Sequence, residues 1–157
     1  MFKSLFSKKE CPYDVEENYI DKNKNIDIVY KNSEKLYSTK SKYQKIDVYK
    51  NKFFGNILAI DDDIQLTEHD ESHYHEMLAH VPLNYLPDAK NVLIIGGGDG
   101  GTAREVKKHI NLKEITMVDI DQEVINVARE YFPKLAEGLN SKKVNLVIDD
   151  GAKWVKD

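Results

Sequence analysis

A glycine-rich segment with an aspartate inside it is the part of this sequence most directly suited to chemistry. Residues 96–101 read GGGDGG, which fits the pattern G-x-G-x-x-G, and they follow the apolar run at 92–95. Glycines in such a loop allow the backbone to approach a ligand and to turn tightly into a helix. We therefore predict a nucleoside-binding loop with Gly96 and Gly98 among its contacts.

Two further aspartates lie where the next two strands of this unit are expected to end. Asp119 follows one apolar run, and Asp150, with Gly151 after it, follows the next. A carboxylate in the first of these positions accepts hydrogen bonds from ribose hydroxyls, and an acceptor in the second is well placed for an adenine amino group. The alternative is that Asp150 and Asp99 are ordinary turn residues, because aspartate is common in turns.

The aspartate inside the loop bears on which nucleoside would bind. A dinucleotide would place its pyrophosphate on this loop and on the following helix N-terminus, where the carboxylate of Asp99 would repel it. A ligand with a sulfonium or an amine would instead be attracted. The three aspartates at 99, 119 and 150 together favour a ligand of the S-adenosylmethionine type over NAD.

The hydrophobic pattern predicts an α/β protein with two parts that would position these residues. Residues 1–25 are polar, and we expect loose structure there. Short alternating apolar runs separated by turn residues predict a small antiparallel β-hairpin domain over 26–68. Apolar runs that alternate with helical patterns predict a Rossmann-like parallel sheet over 69–157. The run at 92–95 predicts a first strand that is buried on both faces.

The predicted connection between the two parts is a helix from about Asp70 to His80. Its apolar residues are spaced i, i+3, i+4, i+7, which predicts one buried stripe: Tyr74, Met77, Leu78 and Val81. Acidic residues are frequent before and at the start of this helix. They are typical either of a solvated turn and helix start or of an electronegative opening for a polyamine, and charge alone favours the solvated turn.

Composition excludes several classes of function. The net charge of −4 gives no electrostatic footprint for nucleic acid, and no apolar run approaches the roughly 18 residues that span a bilayer. We therefore expect a cytoplasmic protein without nucleic-acid or membrane partners. The single cysteine excludes an intrachain disulfide. His75 and His80 lie about 140° apart around a helix, so they cannot share one zinc ion, and we expect no metal site.

At this point the motifs, taken in order, resemble the spermidine synthases, which are polyamine aminopropyltransferases. The resemblance covers about residue 36 to the end of the chain. The motifs that carry it include Tyr43-Gln44, the segment Tyr74-His75-Glu76-Met77, the glycine loop and Val118-Asp119-Ile120-Asp121. It implies aminopropyl transfer from decarboxylated S-adenosylmethionine, a co-substrate, to putrescine, giving spermidine and methylthioadenosine. No metal or redox cofactor is implied, and a homodimer or homotetramer is typical of the family.

The resemblance also implies roles for individual residues. Gln44 and Asp119 would contact the nucleoside, while Asp150 and Gly151 would contact adenine. The polyamine and the aminopropyl chain would be bound by His75 and Asp99. Tyr74 would help to orient the attacking amine.

Two departures from the family pattern affect these expectations. The family usually has glutamate where this chain has Asp119, so the reach to ribose is shorter. The family also continues into a fourth strand with an Asp-Ser-Ser-Asp-Pro-like motif, whose first aspartate is the general base, and the printed sequence contains no such motif. We therefore expect the N-terminal portion of the enzyme, inactive alone. The alternatives are a non-catalytic nucleoside-binding or regulatory subunit and a small-molecule methyltransferase.

Overall fold

The computed structural model describes residues 13–17 and 28–156, and these form an antiparallel sheet followed by a parallel α/β unit. The first sheet has five strands in sequential order, each antiparallel to its neighbours. Its strands are β1 (Tyr13–Glu17), β2 (Ile28–Lys40), β3 (Lys45–Asn51), β4 (Gly55–Ile60) and β5 (Asp63–Thr67). The predicted fold class is confirmed. Strand β1 lies within the segment for which loose structure was expected, so that expectation is wrong for these five residues because they pair with β2. Ile26, where the alternation begins, is outside the described residues.

The second sheet has three parallel strands in the order β6-β7-β8. These strands are β6 (Asn91–Ile95), β7 (Glu114–Asp119) and β8 (Val144–Ile148). The helices around them are α1 (Glu71–Tyr85), α2 (Gly101–Val106), α3 (Gln122–Tyr131), α4 (Pro133–Ala136), a 3-10 turn (Glu137–Asn140) and α5 (Gly151–Trp154). In the part of the chain that the structure describes, no helix is both long and apolar enough to cross a membrane.

Helix α1 buries a different face from the one that its apolar pattern predicts. Tyr74 and Met77 are 65% and 64% exposed, and Leu78 and Val81 are exposed as well. The buried residues are Glu71, His75, Ala79 and Leu83, and they face the short helix α2. The prediction of a buried apolar stripe is wrong because ion pairs, described below, hold two polar side chains of the opposite face inside the protein. The helix also continues past His80 and contains Pro82.

Strand β6 is less covered than its continuous apolar sequence predicts. It lies at the edge of the three-stranded sheet, and Leu93 and Ile95 are exposed while Ile94 is buried. The prediction that both faces are buried is therefore wrong for the described residues. An apolar cavity of about 450 Å³ runs between this strand and α1. The exposed residues of α1 continue this apolar surface.

The two sheets are joined by a hydrophobic cluster to which both contribute. Ile46 and Leu58 of the antiparallel sheet pack with Val124 and Val127 of α3, and with Phe132, which is 0% exposed. Tyr37 of β2 adds a hydrogen bond from its hydroxyl to Glu123 Oε1, at 3.3 Å. The parallel sheet is therefore fixed relative to the hairpin domain through α3 and the residue after it.

Truncation of the residue at the centre of this cluster tests that arrangement. We expect Phe132→Ala to lower the free energy of unfolding by about 3–5 kcal/mol, because it removes buried contacts and leaves a cavity. Urea unfolding measured by circular dichroism gives the change. The matched control is Phe53→Ala at a side chain that is 66% exposed, for which we expect about 1 kcal/mol or less. Equal effects of the two variants would contradict the placement of Phe132 at the shared core.

Candidate functional site

The glycine loop lies between β6 and α2, and its glycines are required by the contacts they make. Gly100 has φ +87°, in the left-handed region that glycine adopts readily. A Cβ atom on Gly101 would lie 2.3 Å from Cε1 of His75, and one on Gly98 would lie 2.8 Å from an oxygen of Asp119. The loop therefore needs glycine partly because two predicted site residues pack directly against its backbone.

His75 lies between two carboxylates and is 2% exposed. Its Nδ1 is 2.6 Å from Oε2 of Glu71, one turn earlier on α1, and its Nε2 is 3.2 Å from Oδ1 of Asp99. Because a carboxylate accepts hydrogen bonds, both ring nitrogens have to carry hydrogen to satisfy both contacts. The geometry therefore selects the imidazolium form of His75.

The ionisation of this pair follows from the same contacts. Burial of the ring opposes protonation, but the hydrogen bonds and charges of Asp99 and Glu71 outweigh it and raise the pKa of His75. Burial would also raise the pKa of Asp99, yet His75 and the backbone amide of Gly101, which donates to Oδ1 at 2.7 Å, lower it. Asp99 is therefore held as a carboxylate inside the loop.

Arg104 of α2 fixes the outer end of this network. Its two terminal nitrogens each donate to one oxygen of Glu71 at 2.9 Å, a bidentate pair, and its Nε donates to Glu105 at 2.8 Å. The hydrogen bonds to Glu71 are the largest cause of a raised pKa of Arg104. Glu71 and Arg104 were not among the predicted site residues. The available signal was the i, i+4 spacing of Glu71 and His75, which places both on one face of a helix.

Asp119 ends β7, and both of its carboxylate oxygens are engaged. Oδ2 accepts the backbone N–H of Gly98 at 2.8 Å, and Oδ1 accepts that of Asp121 at 2.9 Å. The side chain is buried against the backbone of the glycine loop. Each oxygen retains a second lone pair that could accept from a ribose hydroxyl.

Gln44 is brought to the parallel sheet by Asp121, which the sequence analysis did not single out. Gln44 Nε2 donates to Asp121 Oδ2 at 2.9 Å, and the hydroxyl of Ser41 donates to the same oxygen at 2.6 Å. The other oxygen of Asp121 accepts the N–H of Glu123 at 3.0 Å and caps α3. The turn between β2 and β3 is therefore attached beside Asp119. The signal available in sequence was an aspartate before a helical pattern, which indicates only a cap.

Asp150 lies one strand further along and caps α5. Its Oδ1 accepts the N–H of Ala152 at 2.8 Å and that of Lys153 at 3.3 Å, so the side chain performs the structural role of a turn residue. Gly151 lies close to β6, since a Cβ there would be 2.5 Å from a methyl group of Ile95.

The carboxyl ends of the three parallel strands are tied together by backbone hydrogen bonds. The N–H of Gly96 donates to Val118 at 2.8 Å, and that of Asp149 donates to the carbonyl of Asp119 at 3.1 Å. The glycine loop, Asp119 and the Asp150 turn therefore lie along one edge of the sheet. Ligands of open α/β sheets bind at this edge.

Tyr74 precedes His75 on α1, and the centroids of the two rings are 5.3 Å apart. It borders a cavity of about 340 Å³, which Gln65, Asp70 and His75 also line.

Several acids near this cavity have partners within the protein. Asp70 accepts the hydroxyl of Thr67 at 2.7 Å, and Glu68 accepts the N–H of Asn56 at 2.8 Å. These contacts agree with the solvated-turn interpretation, in which the acids have local structural roles.

The protonation of His75 can be tested directly. Its raised pKa means that protonation stabilises the fold fully below about pH 6.5, the ordinary value. This stability is lost as the pH rises through the folded-state pKa. We expect Asp99→Asn to lower the pKa of His75, because it removes a negative charge that favours the imidazolium. NMR titration of the imidazole resonances, assigned with His75→Gln, measures the pKa.

The control for this titration is Glu76→Gln, an acid-to-amide change at an exposed side chain next to His75 on α1. We expect it to leave the pKa of His75 close to that of the unchanged protein. An unaltered His75 titration in Asp99→Asn would contradict the ion pair.

Two family sequence models match successive parts of this chain. The sequence model of the spermine/spermidine synthase domain matches residues 71–157, and that of the spermidine synthase tetramerisation domain matches residues 16–68. A polyamine aminopropyltransferase of Alkaliphilus metalliredigens is 42% identical over 137 residues, which are 87% of this chain and 48% of that protein. A spermidine synthase of Schizosaccharomyces pombe is 48% identical over 122 residues, 78% of this chain and 41% of that protein.

The chain is also similar to solved structures of spermidine synthases. The crystal structure of a spermidine synthase from Thermotoga maritima matches with a TM-score of 0.87 and 38% identity, covering 99% of this chain and 53% of that one. A spermidine synthase in complex with the transition state analogue AdoDATO matches equally well. The chain spans about half the length of the curated relatives it matches. Because the domain match covers more than half of its residues and includes the glycine loop, the chain belongs to the spermine/spermidine synthase family.

Proposed function

We propose that this chain forms the donor-binding part of a polyamine aminopropyltransferase of the spermidine synthase type. The reaction is a displacement in which a primary amine of putrescine attacks the carbon next to the sulfonium of decarboxylated S-adenosylmethionine. A carbon–nitrogen bond forms, the carbon–sulfur bond breaks with its electron pair moving to sulfur, and one proton leaves the amine. The products are spermidine and methylthioadenosine, and the reaction as proposed requires no metal or redox cofactor.

The carboxylate of Asp99 inside the glycine loop is the observation that carries this proposal. A loop of this kind ordinarily binds phosphate, whose charge a carboxylate would repel. An aminopropyl ammonium group or a sulfonium would instead be attracted. His75 and the Gly101 amide keep Asp99 ionised, and both reach it through Oδ1, so Oδ2 is the oxygen that would accept from a cationic donor. We assign Asp99 to the contact with the ammonium groups of the aminopropyl chain and the polyamine, and His75, whose two ring N–H groups already face carboxylates, to the wall of the same site.

The nucleoside of the donor is proposed to lie along the carboxyl edge of the parallel strands. In this arrangement Asp119 and Gln44 contact the sugar side, Gly96 and Gly98 allow close approach of the ligand, and Asp150 with Gly151 contacts adenine. Support comes from the backbone hydrogen bonds that place the three strand ends along one edge. The match to a spermidine synthase in complex with the transition state analogue AdoDATO supports a ligand site in proteins of this fold.

The acceptor amine is proposed to approach from the cavity beside Tyr74. Tyr74 borders that cavity and its ring contacts His75, which in turn contacts Asp99. Tyr74 would orient the amine, the role that the family resemblance implies for it. A general base needs to lie within about 3 Å of the attacking amine, or one water away. In the family resemblance this base belongs to a motif that the printed sequence does not contain.

The match to the spermidine synthase tetramerisation domain supports a homodimer or homotetramer.

Calorimetric titration with methylthioadenosine tests the nucleoside site. We expect Asp119→Ala to weaken its binding by about 1.5–3 kcal/mol, because a charge-assisted hydrogen bond to ribose is lost. Adenine alone has no ribose, so its affinity should change little in the same variant. An equal loss of affinity for methylthioadenosine and for adenine would indicate damage to the loop. Unchanged binding of methylthioadenosine would contradict the assignment of Asp119.

The carboxylate of Asp99 predicts that the protein prefers a cationic ligand to NAD. We expect the protein to bind decarboxylated S-adenosylmethionine more tightly than NAD, and Asp99→Asn to reduce the difference by weakening the first ligand. Competition against bound methylthioadenosine gives both affinities. Asp88→Asn is the control, since Asp88 is exposed and the change in net charge is the same. Tighter binding of NAD by the unchanged protein would overturn the argument from Asp99.

A further inference from the structure

Asp121 is the buried acid whose contacts join the two parts of the candidate site. It is 3% exposed and its two oxygens have different partners. Oδ1 caps α3 through the N–H of Glu123, while Oδ2 accepts from Gln44 Nε2 and from the hydroxyl of Ser41. Its backbone N–H donates to Asp119. Asp121 therefore contacts two residues that are predicted to bind the nucleoside, Gln44 and Asp119.

These contacts determine how the amide of Gln44 is oriented. A carboxylate oxygen accepts hydrogen bonds and an amide offers an NH₂ group and a carbonyl oxygen. The NH₂ group of Gln44 therefore has to face Asp121, which turns Oε1 the other way. Without a neighbouring acid the two orientations of a glutamine amide would have similar shapes and opposite hydrogen-bonding character.

We propose that Asp121 is a positioning residue that orients the Gln44 amide so that Oε1 is presented to the nucleoside as a hydrogen-bond acceptor. This inference rests on the proposed nucleoside site. The ligand group that Gln44 would recognise is a donor, namely a ribose hydroxyl, and Asp121 makes no contact with the ligand itself. Asp121 acts through Gln44, and through its backbone N–H it also orients Asp119.

Other contacts between the sheets make this role separable from folding. Asn56 donates to the carbonyl of Tyr131 at 2.7 Å, and the apolar cluster around Phe132 does not include Asp121. The change Asp121→Asn can retain the helix cap through Oδ1 while replacing the acceptor Oδ2 with an NH₂ donor. Two donors would then face each other, and Gln44 would relieve the conflict by turning its amide over and presenting NH₂ to the ligand.

A paired exchange of the two side chains tests the proposal. We expect Asp121→Asn to weaken methylthioadenosine binding about tenfold to a hundredfold, and Gln44→Glu to weaken it similarly because two carboxylates would face each other. In the double variant Gln44→Glu/Asp121→Asn, the new NH₂ group donates to the new carboxylate. That carboxylate's other oxygen again faces the ligand as an acceptor. We expect the double variant to recover affinity to within about threefold of the unchanged protein.

The measurements are calorimetric affinities for methylthioadenosine together with thermal unfolding of each variant. Asp88→Asn serves as the charge-matched control and should bind like the unchanged protein. Normal binding by Asp121→Asn overturns the inference, as does a double variant no better than the single ones, whether or not the melting temperature falls. Failure of the unchanged protein to bind methylthioadenosine overturns the proposed function, and this inference with it.

Discussion

The imidazolium of His75 between Glu71 and Asp99 is the interaction on which the arrangement of the site depends. It connects α1 to the glycine loop, and Arg104 connects α2 to the same acid of α1. Buried ion pairs are often no more stabilising than apolar packing, but loss of one partner is costly because the other charge stays buried. The network therefore specifies which face of α1 is inside more than it adds to total stability.

The same interaction accounts for the apolar surface of the protein. With Glu71 and His75 turned inward, the apolar residues of α1 face outward and continue the exposed side of β6. A cavity of about 450 Å³ lies between them. Contiguous exposed apolar side chains beside a cavity are characteristic of a binding or packing face. The chain spans about half the length of the relatives that it matches.

The hairpin domain contributes to the site through its attachment to α3. The cluster around Phe132 fixes the distance between the two sheets, and the hydrogen bonds from Ser41 and Gln44 to Asp121 fix the position of one turn. The side chain of Gln44, in the turn between β2 and β3, can then reach the edge where the parallel strands end. A candidate site formed in this way would be sensitive to distant packing, since small displacements of either sheet move Gln44 relative to Asp119.

Local periodicity and turn residues were enough to predict the fold class, the glycine loop and the positions of the three aspartates near strand ends. The sequence also carried the family resemblance through ordered motifs. Which face of α1 is buried was decided only by the tertiary structure, since partners 24 to 33 residues away hold Glu71 and His75 inside. The same holds for Asp121, whose local signal was that of a helix cap. Its contact with Gln44, 77 residues away, exists only because the packed core brings the two sheets together.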